Sequence, residues 1–244
     1  AHRSGHSRIE AFVLTGIGDI YVELNALEEA ATAYHQASTI TQRLNIAVLQ
    51  AYLYIQEASV ACSKGNFPEC YHLIEEARTL SSKENMVMEI HLSNLEYAGI
   101  KLKEGKANEV VTLLEKECLF FESGGHKVQS EKAHLYLTLA YGQVKNHEMM
   151  LKHLLKILTC LNEKDKPTLL IATANRYYDQ LVKLRNIDYA VGQLEELFAS
   201  IERFWNELPD LRRFIRQHAV TVHFAPPVLH IRALGKMQVR VNKR

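Results

Sequence analysis

The sequence lacks two features that would indicate a membrane protein or a nucleic-acid-binding protein. Its apolar runs all fall short of the ~20 residues that a membrane-spanning helix needs, so we expect no membrane span. It also has no excess of charge, because 29 Lys and Arg residues offset 28 Asp and Glu residues and leave a net charge of +1. Binding to phosphates requires a concentrated basic face, and anchoring to anionic lipid requires a basic cluster. We therefore expect neither direct nucleic-acid binding nor attachment to a membrane.

Sequence motifs of the common enzyme classes are also missing. The chain has no G-x-x-x-x-G-K-[ST] loop, no G-x-G-x-x-G after a strand and no H-E-x-x-H. Its 12 histidines are scattered along the chain, and no nucleophile has an obvious base beside it. We therefore predict a protein without catalytic activity, cofactor or metal site.

Cysteine is scarce, and its spacing does not indicate a zinc site. Cys62, Cys70, Cys118 and Cys160 all fall in predicted helices and form no C-x-x-C pair. Reduced, buried thiols are the simplest interpretation and favour a cytoplasmic location. The first residues, AHRSGHSR, are followed by no apolar core of the right form, so we expect no signal peptide. Because the chain does not begin with Met, we expect it to be a piece of a longer protein or a processed form.

The stretch from Ala11 to Gln42 carries a pattern of small and apolar residues that predicts two packed helices. The pattern consists of Leu14, Ile17, Gly18, Tyr21, Ala30, Tyr34 and Ala37. Gly18 and Ala30 are small enough to let two helices approach closely, and the larger residues fill the space around that contact. These spacings resemble the tetratricopeptide repeat, which has two antiparallel helices per unit. Leu14 stands where that repeat usually has Trp, and Gln42 where it usually has Pro.

The same pattern recurs every 40 residues, which predicts about five helical pairs. The expected turns are Asn25-Ala26, Gly65-Asn66-Phe67, Gly105-Lys106-Ala107, Lys145-Asn146-His147 and Arg185-Asn186-Ile187. The predicted helices cover 9–24, 27–43, 46–64, 67–81, 86–104, 107–122, 128–145, 147–161, 168–184 and 187–206. Since the usual period is about 34 residues, longer helices or longer links must absorb the difference. The predicted fold is all-α, a tetratricopeptide-like, right-handed superhelical solenoid that occupies residues 1–223 and has a short C-terminal β-hairpin tail.

The C-terminal stretch departs from this pattern. We expect Pro209 to open a short helix in which Leu211, Phe214 and Ile215 cap the array, while Arg212, Arg213 and Arg216 face water. Pro226-Pro227 ends the helical part. Residues 228–234 and 237–241 alternate apolar and polar residues around Gly235-Lys236, which predicts the β-hairpin. Residues 224–244 would thus be a linker and the first strands of a truncated DNA-binding domain.

Two resemblances suggest a biological context. The segment Leu229-His230-Ile231-Arg232-Ala233-Leu234-Gly235-Lys236-Met237-Gln238-Val239-Arg240 resembles the opening of the winged-helix domain of bacterial transcriptional activators of the antibiotic-regulatory-protein type, with Met237 in place of an aromatic residue. The stretch from Gly18 to Tyr34 resembles the helical-repeat region of large bacterial regulators related to the maltose-operon activator. The resemblance implies an NTPase and a DNA-binding domain flanking this chain in a longer protein, and a sensor or coupling role for the repeats.

The candidate binding surface is the concave face of the solenoid, which the first helix of each pair should line. Its candidate ligand or partner residues are Phe12, Asp19, Tyr52, Ile55, Ser59, Leu92, Leu95, Lys103, Gln143, Asn175 and Asp179. The apolar members of this set could instead be buried between neighbouring helices. If they line a groove, it would bind a protein segment or a small-molecule effector and transmit that binding to the flanking domains. The alternatives are a stand-alone tetratricopeptide scaffold or co-chaperone that binds peptides and, with the least support, an enzyme with a site in the groove.

Overall fold

We describe the protein from a computed structural model, and the structure describes residues 2–162, 168–186, 190–218, 229–232 and 238–241. Within these ranges the chain is built almost entirely of helices. They are α1 (His2–Glu23), α2 (Leu27–Leu44), α3 (Ala47–Ser63), α4 (Phe67–Lys83), α5 (Val87–Lys103), α6 (Val111–Ser123), α7 (Lys127–Gln143), α8 (His147–Leu161), α9 (Thr168–Arg176), α10 (Tyr178–Lys183) and α11 (Val191–His218). Short 3-10 helices lie at Ala107–Glu109 and Leu184–Asn186. In the described ranges, every helix is too short or too polar to cross a membrane.

The same tight turn links each helix to the next from α1 to α8. A residue with positive φ recurs every 20 positions, at Asn25, Asn45, Gly65, Asn85, Gly105, Gly125 and Lys145. Glycine and asparagine tolerate this left-handed conformation better than other residues. The next backbone N–H donates to a carbonyl five residues earlier, as from Ala26 to Tyr21 at 2.8 Å, and this bond closes the end of the helix.

This turn also explains the long repeat period. The links between pairs have the same geometry as the links within pairs, so each helix and its turn occupy 20 residues. The helices α3, α4, α5 and α7 are each 17 residues long. Longer helices, rather than longer links, therefore account for the difference from the usual repeat.

Burial follows the predicted 40-residue register. Ala30, Cys70, Val110, Met150 and Ala190 are all fully buried. The positions that follow Ala30 by four and seven residues are also buried in every repeat. One of them is Glu117, at a position where the first two repeats have Ala. Its carboxylate accepts a hydrogen bond from Asn94 at 2.9 Å and lies 2.5 Å from His91 Nδ1. The predicted all-α array of repeated helical pairs is thus seen in the structure.

Two predicted helices are interrupted. The helix predicted over 168–184 is divided into α9 and α10 at Tyr177, whose φ is −110° and ψ 20°. Tyr177 is buried, and its hydroxyl donates to the Tyr136 hydroxyl at 3.1 Å, so packing holds it at the break. The helix predicted over 107–122 begins as a 3-10 turn and becomes α-helical only at Val111.

The last helix, α11, is continuous, so the prediction of a separate short helix from Pro209 is wrong. A proline removes a backbone donor and usually breaks a helix interior. Here Phe204 and Leu208, just before the proline, are buried in the cluster that α1 and α2 also form. That packing holds α11 in place just before Pro209, and Ile215 packs against the same cluster after it.

The predicted cap is only partly present. Leu211 and Phe214 are 39% and 62% exposed, so neither covers the end of the array. Ile215 is partly buried against the cluster formed by α1 and α2. Arg213 is exposed as predicted, and the side chain of Arg216 lies outside the described part of the chain.

The two ends of the helical array contact each other. The Arg212 guanidinium donates to the carbonyl of Leu24 at 2.8 and 2.6 Å and to that of Asn25 at 3.0 Å, across 188 residues of chain. The prediction that Arg212 faces water is therefore wrong. Arg176 on α9 likewise donates to the carbonyl of Val22 at 3.3 Å. The last helices of the array thus contact its first helices, with α9 and α11 packed on the first helical pair.

Two short strands follow the helices. β1 (Leu229–Arg232) pairs antiparallel with β2 (Gln238–Val241), with Leu229 opposite Val241 and Arg232 opposite Gln238. The residues predicted to connect them, and the predicted domain boundary at 223, lie outside the described residues.

The first helical pair yields a stability prediction. A methyl group added to Gly18 would collide with the Tyr34 ring, whereas one added to Gly16 would meet nothing within 4 Å. We expect Gly18→Ala to lower the free energy of unfolding by about 1–3 kcal/mol through overpacking. Gly16→Ala, on the same helix, should raise it by up to about 1 kcal/mol because alanine favours the helix. Urea unfolding of both variants checks this, and equal effects would contradict the close approach of α1 and α2.

Candidate ligand-binding site

The first helices of the pairs surround a cavity of about 200 Å³, which we call the interior cavity. Side chains from α1, α3, α5, α7 and α9 line it, because the alternating turns place these helices on the same side of the array. Its polar lining includes Asp19, Tyr52, Glu96, Lys132 and Arg176. The interior is therefore a charged surface rather than a continuation of the apolar core.

A second, larger cavity of about 670 Å³ lies beside the C-terminal ends of α1, α3 and α5, and we call it the mouth cavity. Residues that end or follow these helices line one side of it, namely Asn25, Ser63 and Lys103. Residues of α9 to α11 line the other side, including Arg185, Phe198 and Trp205. Arg176 lines both cavities, so they adjoin at this residue.

Asp19 joins three helices at the wall of the interior cavity. Its carboxylate accepts hydrogen bonds from the Tyr34 hydroxyl of α2 at 2.7 Å and from the Tyr52 hydroxyl of α3 at 3.1 Å. Burial raises the pKa of Asp19, and the two hydrogen bonds oppose that rise only in part. Burial, together with the Asp19 carboxylate, raises the pKa values of both tyrosines. Both hydroxyls therefore stay protonated and act as donors.

Two other charged residues of the interior cavity, Lys132 and Arg176, have polar partners. Lys132 on α7 forms an ion pair with Glu96 on α5. Arg176 donates to the Thr173 hydroxyl at 3.0 Å as well as to Val22. A buried charge without a partner is costly, and these contacts hold the interior side chains in fixed positions.

Lys103 has a different environment. Its ammonium lies 5.0 Å from the centre of the Tyr177 ring, and burial lowers its pKa. Across the described ranges, it forms no salt bridge with a carboxylate. By contrast, Arg185 pairs with Glu195 at 3.0 Å and lies 4.0 Å from the centre of the Phe198 ring. Lys103 therefore supplies the mouth cavity with a half-buried positive charge that a ligand could neutralise.

The predicted groove residues separate into several groups. Asp19, Tyr52, Ser59, Leu92 and Leu95 line the interior cavity, and Lys103 and Asn175 line the mouth cavity. The other four lie elsewhere. Ile55 is buried between helices, and Gln143 donates to the Leu102 carbonyl at 3.0 Å. Phe12 on α1 and Asp179 on α10 are exposed. The structure thus brings seven of the predicted residues to the two cavities.

Sequence reasoning missed several lining residues. One position in the first helix of the repeat lines the interior cavity three times, as Gln56, Glu96 and Arg176. These residues are separated by 40 and 80 positions, that is, by one and two repeats. Applying the register from Gln56 would have identified them. Phe198 and Trp205 had no such signal, because they come from α11, which departs from the repeat.

The described residues also contain a group of metal-ligating side chains outside both cavities. Cys118 and Glu122 on α6 and His134 on α7 each offer a ligand atom within 4.8 Å of the other two. The sequence prediction of no metal site did not consider this group, because its members come from separate helices.

Comparison with known proteins does not assign this chain to a family. No protein-family model matches it, and no curated protein matches it either. The resemblances to a regulator's helical repeats and to a winged-helix domain therefore stay predictions.

The Asp19 site yields a prediction of pH dependence. A carboxyl group whose pKa is raised on folding binds a proton more tightly in the folded chain. Its contribution to the free energy of unfolding is therefore largest at acidic pH, and falls as pH rises from its unfolded pKa through its higher folded pKa. Asp19→Asn removes this titration while keeping an acceptor for Tyr34.

We expect the stability of the natural protein, relative to Asp19→Asn, to decline as pH rises above the ordinary pKa of an aspartate, about 4. Urea unfolding at a series of pH values measures it. Asp210→Asn, at an exposed carboxylate, controls for the loss of a negative charge. A relative stability that rises with pH would show that the hydrogen bonds from Tyr34 and Tyr52 outweigh burial.

Proposed function

We propose that this chain is a non-catalytic sensor module that binds a small anionic effector in the mouth cavity. The observation that carries the proposal is the mouth cavity itself, about 670 Å³ in volume, with the half-buried Lys103 ammonium in its wall. Pockets for small molecules usually measure about 300–1,000 Å³ and combine apolar walls with a few polar groups. The mouth cavity has both properties.

The size of the cavity favours a small molecule over a helical protein segment. Two turns of a helix about 10 Å wide already occupy about 850 Å³. The contact of α11 with the first pair also closes the side through which a long groove would continue. A stand-alone peptide-binding scaffold would need an open groove, so the small effector is the better-supported of the two predicted partners.

The lining of the mouth cavity indicates the chemistry of the effector. Its basic residues Lys103, Arg176 and Arg185 outnumber its acidic residues Glu195 and Glu202, and Phe198 and Trp205 present aromatic rings. An anion beside Lys103 would favour the charged ammonium against the burial that lowers its pKa. The expected ligand is therefore a small molecule with a carboxylate or phosphate group and an aromatic or apolar body.

The position of the cavity suggests how binding could be transmitted. Asn25 and Leu27 in its wall follow α1, whereas Phe198 and Trp205 belong to α11. We call the array closed when α11 contacts the first helical pair. A ligand that contacts both ends of the array would bind the closed form more tightly than an open one, and would favour it by that difference in affinity. The ligand would thereby bias the position of α11, the last described helix before residues 219–244.

We further propose a setting for this module in a larger bacterial regulator. In this proposal, the repeats form a right-handed, tetratricopeptide-like superhelix in the cytoplasm, between an NTPase domain and a winged-helix DNA-binding domain. The repeated helical pairs and the antiparallel strands at residues 229–232 and 238–241 support it. A chain extended by about 90 residues, the length of a small domain, should gain cooperative β-structure and DNA binding. An extension that stays unfolded would remove the support that the strands provide.

A ligand screen tests the proposed effector site. Small aromatic carboxylates and phosphate esters are screened for thermal stabilisation of residues 1–244, and calorimetry then measures their dissociation constants. We expect a ligand whose affinity falls about tenfold or more in Lys103→Met, because a charge-assisted contact contributes about 1.5–3 kcal/mol. Trp205→Ala should weaken it through lost stacking. Lys83→Met, at an exposed lysine on α4, should bind normally.

Two outcomes would contradict the proposal. One is binding that neither Lys103→Met nor Trp205→Ala weakens. The other is stable binding of helical peptides by a protein to which none of the small anions binds, which would favour the peptide scaffold.

A further inference from the structure

Three potential metal ligands converge between α6 and α7. Cys118 and Glu122 are four residues apart on α6, so they lie on one face of that helix. His134 on α7 lies beside them, with Cys118 Sγ 3.5 Å from its Nδ1 and 3.9 Å from its Nε2, and Glu122 Oε1 3.0 Å from its Nε2. A cavity of about 390 Å³ adjoins all three residues. This cavity shares no lining residue with the interior cavity or the mouth cavity.

A second histidine orients the first. His134 Nδ1 lies 2.9 Å from Nδ1 of His153 on α8. When His134 donates its Nδ1 proton to this nitrogen, Nε2 keeps a free lone pair, and Glu122 Oε1 lies 3.0 Å from it. Ligating histidines commonly make such a second hydrogen bond, which fixes the tautomer and the ring orientation. The His153 ring is itself stacked on Tyr141, with 5.7 Å between the ring centres.

The three ligand atoms lie within 4.8 Å of one another, and two of the distances between them are close to those around a tetrahedral zinc ion. With zinc bonds of about 2.3 Å to sulfur and about 2.1 Å to nitrogen and oxygen, a tetrahedral angle places sulfur about 3.6 Å from nitrogen and nitrogen about 3.4 Å from oxygen. The structure has 3.9 and 3.0 Å for these two pairs. Each differs by less than half an ångström. Because Cys118 Sγ is nearer to Nδ1 than to Nε2, the Cys118 side chain must turn toward the Nε2 side to bind the same ion, and the exposed Glu122 carboxylate can move with it.

We propose that Cys118, Glu122 and His134 form a binding site for a divalent transition-metal ion, Zn²⁺ before others, with a fourth position open to the adjoining cavity. A thiolate, an imidazole and a carboxylate together favour zinc over Mg²⁺ or Ca²⁺, which prefer oxygen ligands alone. On binding, the Cys118 thiol loses its proton to solvent and a zinc–sulfur bond forms. The open position would hold water or a ligand group, as it does in zinc sites with three protein ligands.

His153 has a separate role in this proposal. It does not contact the ion but positions His134 through the hydrogen bond between their Nδ1 atoms. Loss of such an outer hydrogen bond typically weakens metal affinity about 10- to 100-fold. His153→Phe should therefore reduce affinity while leaving the thiolate–metal bond in place.

Cobalt substitution tests the site directly, because a thiolate bound to Co²⁺ gives a near-ultraviolet charge-transfer band. Metal-stripped protein, residues 1–244, is titrated with Co²⁺ and then with Zn²⁺, and a chromogenic chelator measures the zinc affinity. We expect one equivalent of Co²⁺ to produce the band and Zn²⁺ to displace it. Cys118→Ser should abolish the band, while Cys160→Ser, at a cysteine outside the cluster, should keep it.

Further variants separate the site from a general effect on folding. Glu122→Gln changes an exposed side chain, so it should fold normally and still lose at least tenfold in zinc affinity. His153→Phe should retain the band and bind more weakly. Absence of a band in the natural protein, a band that survives in Cys118→Ser, or unchanged zinc affinity in Glu122→Gln would each overturn the proposal. Any of these would leave His134, Glu122 and His153 as a hydrogen-bonded chain without a metal.

Discussion

The mouth cavity depends on the contact that Arg212 makes with the end of α1. Helix C-termini leave backbone carbonyls without partners inside the helix, and a cation is favourable there. Arg212 satisfies the carbonyls of Leu24 and Asn25, and so connects α11 to the first helical pair. Phe204 and Leu208 bury apolar surface at the same junction. Without this contact the array would be an open row of helices, and the mouth cavity would lose the wall that α11 provides.

The first eight helices could be predicted from sequence because the repeat is regular. The helix predicted over 46–64 is found at Ala47–Ser63, between turns at Asn45 and Gly65 that suit a left-handed backbone. The sequence pattern was weaker after residue 162, where tertiary packing overrode local signals. Pro209 normally ends a helix, but buried neighbours on α11 keep this one continuous. No local pattern could have predicted that Arg212 reaches a carbonyl 188 residues away.

The candidate sites were predictable only where they follow the repeat. Asp19, Tyr52 and Leu92 could be placed at the concave face by register, and they do line the interior cavity. Ile55 occupies the register position of Leu95, and both side chains are buried, but only Leu95 also lines the interior cavity. The cluster of Cys118, Glu122 and His134 forms only because α6 and α7 pack together. The sequence alone shows only that Cys118 and Glu122 are four residues apart.

Amide hydrogen exchange in two neighbouring arginine variants tests the closed array most directly. Arg212→Met removes the contact with Leu24 and Asn25, whereas Arg213→Met removes an exposed side chain from the same helix. If the array is closed, Arg212→Met should exchange faster both in the C-terminal half of α11 and at the end of α1, because the two segments protect each other. Arg213→Met should leave both segments unchanged. Faster exchange in α11 with no change around Leu24 and Asn25, or equal effects of the two variants, would contradict closure of the array.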